Sequence, residues 1–205
     1  MDSEKRKELS QQPPTPRQAL YRTMHATHVG YRNFNHGLYR LTQWSHVLTP
    51  PPASIVEIGC GNGKLCRLLG FWGYDITGLD LVRGQYDRAA YNFVEHDVCT
   101  GHLPFEDRTF DYCVSFDVLE HIPEKWINEV IWDMFRVART VIIGISCRGK
   151  GQAGLHPTVH PPEWWSEKLN RMCHGSDNRH LVTINHGTDD ERLLFYATQE
   201  GVVIK

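Results

Sequence analysis

Ile55-Val56-Glu57-Ile58-Gly59-Cys60-Gly61-Asn62-Gly63 decides the architecture of this chain: an apolar strand runs straight into a turn with glycine at three alternate positions. Glycine tolerates backbone conformations closed to other residues. A turn built from it lets a ligand approach the main chain and aims helix N-terminal N–H groups at that ligand. Two phosphate-binding patterns share this outline, and both fail here. A dinucleotide fingerprint starting at Gly59 needs glycine at position 64, which is Lys64. A P-loop ending at Gly63-Lys64 needs glycine at 58 and Ser or Thr at 65, where the chain has Ile58 and Leu65.

Outward from this turn, short apolar runs alternate with stretches of helical spacing. Strands are predicted over 54–58, 75–79, 92–95, 112–116 and 141–145, with helices over 63–69, 84–90 and 125–138. Such alternation is the pattern of an α/β fold with a doubly wound, mostly parallel sheet and helices on both faces. A helix over 162–172 and strand-like runs at 180–184 and 192–198 bring the expected sheet to seven strands. Upstream, Leu38, Leu41, Trp44 and Leu48 share a helical face, predicting a helix over 35–48 that the Pro50-Pro51-Pro52 run stops.

The whole segment from 54 to 145 resembles the Rossmann-like class I methyltransferases, which place an acidic residue before a G-x-G-x-G turn. The resemblance implies S-adenosylmethionine as donor and assigns Glu57, Gly59, Cys60, Gly61 and Gly63 to the loop beside its amino-acid part. Asp80, 17 positions after Gly63 at the end of the second strand, takes the place of the carboxylate that grips the ribose hydroxyls, with Leu81 next to it. Asp97 and Val98 occupy the adenine position. Phe110-Asp111-Tyr112-Cys113-Val114-Ser115-Phe116 and the following Val118-Leu119-Glu120-His121-Ile122 match the fourth-strand signature, bringing Phe116 to the donor.

In an open α/β sheet the acceptor lies beyond the carboxyl ends of the strands. A lid is expected there from Tyr21, Tyr31, Phe34, Tyr39 and Trp44, interleaved with Arg22, Arg32, Arg40, His25, His28 and His36. From the other side comes the run 155–165, whose H-x-x-x-x-P-x-x-W arrangement from His156 to Trp164 is similar to that of some enzymes acting on sugars or other small metabolites. His121 and His156 are the candidate bases, because imidazole titrates near neutrality.

The expected reaction is methyl transfer to a small-molecule or sugar-containing acceptor, at oxygen in preference to nitrogen. The alternatives are methylation of RNA or protein, and a non-catalytic subunit that binds or activates a partner. Asp117-Val118-Leu119-Glu120 lacks the Pro-Pro-aromatic sequence of DNA amino-methylating enzymes, and no Pro-Cys nucleophile follows the fourth strand. A formal charge of −2 supplies no global field for nucleic acid. With neither H-E-x-x-H nor C-x-x-C among 12 histidines and six cysteines, no metal site is expected. Scattered cysteines and the absence of an apolar run near 18 residues predict a cytoplasmic, non-membrane protein. Residues 1–17, charged and proline-bearing, are expected to be mobile. Residues 18–205 form one domain: a helical lid over 18–50, a donor core over 54–145 and an acceptor side over 146–205.

Overall fold

The computed structural model describes residues 15–27, 35–83, 91–147, 155–174, 180–184 and 192–198. Seven strands form one sheet: β1 (Ser54–Ile58), β2 (Asp75–Asp80), β3 (Asn92–Glu95), β4 (Phe110–Phe116), β5 (Ala138–Ser146), β6 (His180–Ile184) and β7 (Arg192–Thr198). Their order is β3-β2-β1-β4-β5-β7-β6, parallel from β3 through β5, with β7 pairing antiparallel to both β5 and β6. The predicted helix over 84–90 lies outside the described residues.

Alternation along the strands sorts the core into two layers. Val141, Ile143 and Ile145 of β5 pack with the face that meets α5 (Glu124–Val137) and α6 (Pro162–His174), while Ile142 joins Ile55, Val114 and Leu194 on the opposite face with α4 (Lys64–Phe71). α5 presents Ile127, Val130, Ile131, Met134 and Val137 on one stripe because those positions recur every three or four residues. Each such side chain, fully buried, contributes roughly 1.5–3 kcal/mol through removal of apolar surface from water. β5 starts earlier than its apolar run suggests. Ala138 is already extended and pairs with Phe110, so helix passes into strand without a loop.

The segment before β1 departs from the single helix expected over 35–48. It breaks into α2 (His36–Tyr39), α3 (Leu41–Trp44) and a 3₁₀ turn, Ser45–Val47, with Arg40 off helical geometry between the first two. Tertiary packing explains the break. Trp44 is completely buried against Phe116, ring centroids 5.1 Å apart, and donates its indole N–H to the Gly37 carbonyl at 2.9 Å. A Cβ on Gly37 would lie 2.5 Å from the Phe116 ring, so the chain doubles back closely enough to seat both aromatics. Trp44 is therefore core and not lid, and Tyr39 is 74% exposed.

α1 (Pro16–Thr27) begins inside the segment expected to be mobile. Thr15 and Gln18 form a reciprocal cap: the Gln18 N–H donates to Thr15 Oγ1 at 3.2 Å and the Thr15 N–H to Gln18 Oε1 at 2.9 Å. Pro16 suits the first helical position, whose N–H needs no helical partner. Arg17 thus belongs to an ordered helix. Among the described residues no helix is long and apolar enough to cross a membrane, and all six cysteines are free.

Candidate functional site

A cavity of about 450 Å³ opens at the carboxyl ends of β1, β2, β3 and β4, where the strand order reverses, β2 and β3 lying on one side of β1 and β4 on the other. Gly59, Gly61 and Asn62 form part of its floor. Asp80 and Leu81 lie beyond β2, His96, Asp97 and Val98 beyond β3, and Phe116, Asp117 and Val118 beyond β4. Arg17, Tyr21, His25, Asn35 and His36 face them from α1 and the start of α2.

The turn after β1 is held from below. Gly59 and Cys60 donate N–H groups to the Leu79 carbonyl at 2.7 and 3.1 Å, and Gly63 donates to the Cys60 carbonyl. Gly59 and Gly61 have φ of +74° and +53°. A Cβ on Gly59 would fall 2.2 Å from Val118, whereas a Cβ on Gly61 meets nothing within 4 Å. The first glycine is needed for packing against the β4 loop, and the second borders open space in the cavity. Asp80 Oδ2 accepts the Gly61 N–H at 2.8 Å, so the same carboxylate fixes the turn and faces the cavity. Burial raises its pKa, and hydrogen bonds from Gly61 and Val82 oppose that shift.

Glu57 is buried beneath this floor. Its Oε1 accepts from Asn35 Nδ2 at 3.3 Å and its Oε2 from the Cys66 thiol at 2.9 Å. Burial pushes its pKa up to about 7, against the lowering effect of both hydrogen bonds. Glu57, Cys60 and Gly63 do not line the cavity; Asn35 stands between Glu57 and the open space. The remaining sequence-predicted donor residues, Gly59, Gly61, Asp80, Leu81, Asp97, Val98 and Phe116, all line it, as do His121 and His156.

Asp97 is gripped by Arg17, whose Nη1 donates to Oδ1 at 3.0 Å, while Arg17 Nη2 donates to the His121 carbonyl at 3.2 Å. Arg17 therefore ties the N-terminal helix to the loops after β3 and β4. Nothing in its neighbours' hydropathy marks it, but the Thr15-Pro16-Arg17-Gln18 capping pattern does signal a helix start. His96 Nε2 is buried without a hydrogen-bond partner, beside Asp97 in the cavity wall. Such an atom calls for a polar ligand group.

The acceptor-side run contributes less than expected. His156 reaches the cavity, but His160 stacks on Trp164 at 3.8 Å and meets Glu124 at 3.0 Å, and Trp165 is buried in the core. Neither indole lines the cavity. Of the proposed lid, Tyr21, His25 and His36 line it, and Arg22 instead pairs with Glu95. Tyr31, Phe34, Arg32 and His28 lie outside the described residues. Asp117, with φ of +52°, pairs with His36 Nδ1 at 2.7 Å across the cavity.

His121 Nδ1 lies 2.8 Å from the Leu155 carbonyl, and the His121 and His156 rings meet edge to face at 4.4 Å. Burial, then the neighbouring His156, lowers the His121 pKa to about 4; burial lowers that of His156 too. Such imidazoles stay neutral at physiological pH and are weak proton acceptors.

A glycine turn at the sheet's switch point, with one carboxylate at the end of β2 and another just beyond β3, defines a nucleotide-type donor site on a Rossmann-like methyltransferase fold. The chain belongs to the methyltransferase domain family, whose model matches residues 14–132. S-adenosylmethionine is the donor used on this fold. Over 95 residues the chain is 30% identical to a 27-O-demethylrifamycin SV methyltransferase of Amycolatopsis mediterranei, covering 42% of this chain and 34% of that protein. Over 163 residues it is 25% identical to a norajmaline N-methyltransferase of Rauvolfia serpentina, covering 74% and 53%. The chain thus spans from about a third to half the length of these relatives. The solved structure of DhpI with SAH shares the fold at a TM-score of 0.62 and 17% identity, covering 88% of this chain and 93% of that one.

Proposed function

We propose that this chain transfers the methyl group of S-adenosylmethionine to a hydroxyl of a small-molecule or sugar-containing acceptor. The observation that carries the reading is the convergence of Asp80 and Asp97 on one cavity above the open Gly61 turn. A carboxylate offers two acceptors to a ribose diol, and Asp80 is already oriented by the Gly61 N–H. Asp97 and the unpartnered His96 Nε2 supply polar atoms for the adenine end, and Phe116 supplies an apolar wall. Glu57 orders the amino-acid end through Asn35.

The donor, when bound, supplies an electrophilic methyl carbon on a sulfonium. The acceptor oxygen bonds to that carbon as the carbon–sulfur bond breaks, its electron pair passing to sulfur, and the hydroxyl proton leaves to water. The chain's part is to hold the acceptor in line and to exclude competing water. Arg17, bridging Asp97 and the His121 carbonyl, closes α1 over the cavity. Asp80, Asp97, Asp117 and Glu120 outnumber Arg17 among the charged lining residues. That balance favours a cationic donor and disfavours a phosphate-bearing acceptor such as RNA.

Calorimetric titration with S-adenosylmethionine and S-adenosylhomocysteine tests the reading. Saturable binding to wild type, weakened at least tenfold in Asp80→Ala, is expected. Folded protein that binds neither compound would refute it.

A further inference from the structure

Glu120, His121 and His156 come together in the cavity wall, and one potential ligand atom from each lies within 4.8 Å of the other two. Nothing in linear spacing announces this, because His156 stands on a different loop. Two hydrogen bonds bring it there: Thr158 Oγ1 donates to the Ile122 carbonyl at 2.6 Å and the Thr158 N–H to the Glu120 carbonyl at 3.2 Å.

From this cluster we infer a divalent transition-metal site, with Glu120 supplying a carboxylate oxygen and His121 and His156 one imidazole nitrogen each. The tautomer of His121 is decided by its neighbour. A carbonyl only accepts, so the nitrogen facing Leu155 carries the proton and Nε2 keeps its lone pair. A backbone carbonyl orienting the non-ligating nitrogen is the usual support of a metal-binding histidine. His156 Nδ1 is buried with no hydrogen-bond partner, which leaves a costly polar atom that a metal, or a group bound to one, would satisfy. Glu120 is only 1% exposed, and its Oε1 accepts the Ser146 N–H at 3.3 Å, which fixes the carboxylate. Asp117 lines the same cavity and adds negative charge.

Bond lengths of about 2.0–2.2 Å place neighbouring ligand atoms roughly 3 Å apart, so the three groups would draw together by up to about 2 Å around a bound ion. Two nitrogens and one oxygen favour a first-row ion of the Mn²⁺-to-Zn²⁺ series over Mg²⁺ or Ca²⁺. Three protein ligands leave coordination positions facing the cavity. Resting on the methyl-transfer reading above, those positions would take the acceptor's hydroxyl and a neighbouring oxygen, holding the nucleophile and making its proton easier to lose to water. The substrate class becomes a vicinal diol, catechol or hydroxy-carbonyl compound, and the two imidazoles act as joint ligands in place of competing bases.

The experiment is titration of chelator-treated full-length protein with Co²⁺, followed by calorimetry and visible absorption. One ion per chain with micromolar affinity is expected, with d–d bands of nitrogen and oxygen coordination. Affinity should fall at least tenfold in His156→Ala and in Glu120→Gln. Because Glu120 is buried, His156→Ala is the deciding variant, and its unchanged circular dichroism and cooperative thermal unfolding show that the fold is kept. No saturable Co²⁺ binding, or binding equally tight in His156→Ala, overturns the site. Failure of the donor to bind wild type, with Co²⁺ binding intact, refutes the methyl-transfer reading and leaves the metal site standing.

Discussion

Glu57 offers a measurable consequence of burying a carboxylate beneath the donor floor. Its pKa rises from 4.5 to about 7 because burial outweighs hydrogen bonds from Cys66 and Asn35. The folded state therefore holds this proton more tightly than the unfolded chain does. The resulting stability is fully present below pH 4.5, declines as pH rises, and is gone once pH passes about 7. A shift of this size, at about 1.4 kcal/mol per pH unit, makes the protein roughly 2–3 kcal/mol less stable at pH 8 than at pH 5 through this residue alone. For a domain of this size that is about 5–10 °C in melting temperature. Glu57→Gln keeps the shape and removes the titration. Other groups titrate over the same range, so the measured quantity is the difference between variant and wild type in urea unfolding at pH 5, 6, 7 and 8. That difference should grow in favour of Glu57→Gln by about 2 kcal/mol across the series. Parallel pH profiles would show that Glu57 ionises as an exposed carboxylate does, and the account of its burial would fail.

Two glycines of the same turn should respond differently, one chiefly in stability and the other chiefly in donor binding. Gly59→Ala sets a Cβ 2.2 Å from Val118 and should cost about 2–4 kcal/mol of stability by chemical denaturation, partly recovered in Gly59→Ala/Val118→Ala. Gly61→Ala meets no protein atom and should cost only about 1–2 kcal/mol from its positive φ, yet weaken donor binding at least tenfold by calorimetry. Arg17→Ala frees α1 from Asp97 and the His121 carbonyl; donor affinity should drop about five- to thirtyfold, with unfolding free energy lowered by less than about 1 kcal/mol. Trp44→Ala should lose about 3–5 kcal/mol in equilibrium unfolding, since the ring is fully buried against Phe116; a loss under 1 kcal/mol would contradict its place in the core.

What the sequence determined by itself is local in origin. The apolar runs, the helical stripe of α5 and the glycine turn each act over a few neighbouring residues, and they specify the strands, the sheet and the floor of the cavity. Asp80 was legible because it ends β2 and Asp97 because it follows the end of β3 by two residues, and parallel strands bring such positions to one edge. Other features depend on contacts between distant segments. Trp44 reads as an aromatic on a lid helix until Phe116 and Gly37 supply the slot that breaks the helix and buries the ring. Arg17 reads as part of a polar tail until Asp97 and the His121 carbonyl, 80 and 104 positions away in the chain, receive its guanidinium. Glu120 and His121 meet His156 because Thr158 fastens its segment to the one after β4. No periodicity encodes such a meeting. Its geometry comes from the twist of the sheet, the lengths of the connections and the packing that closes them, and these exist only in the folded chain.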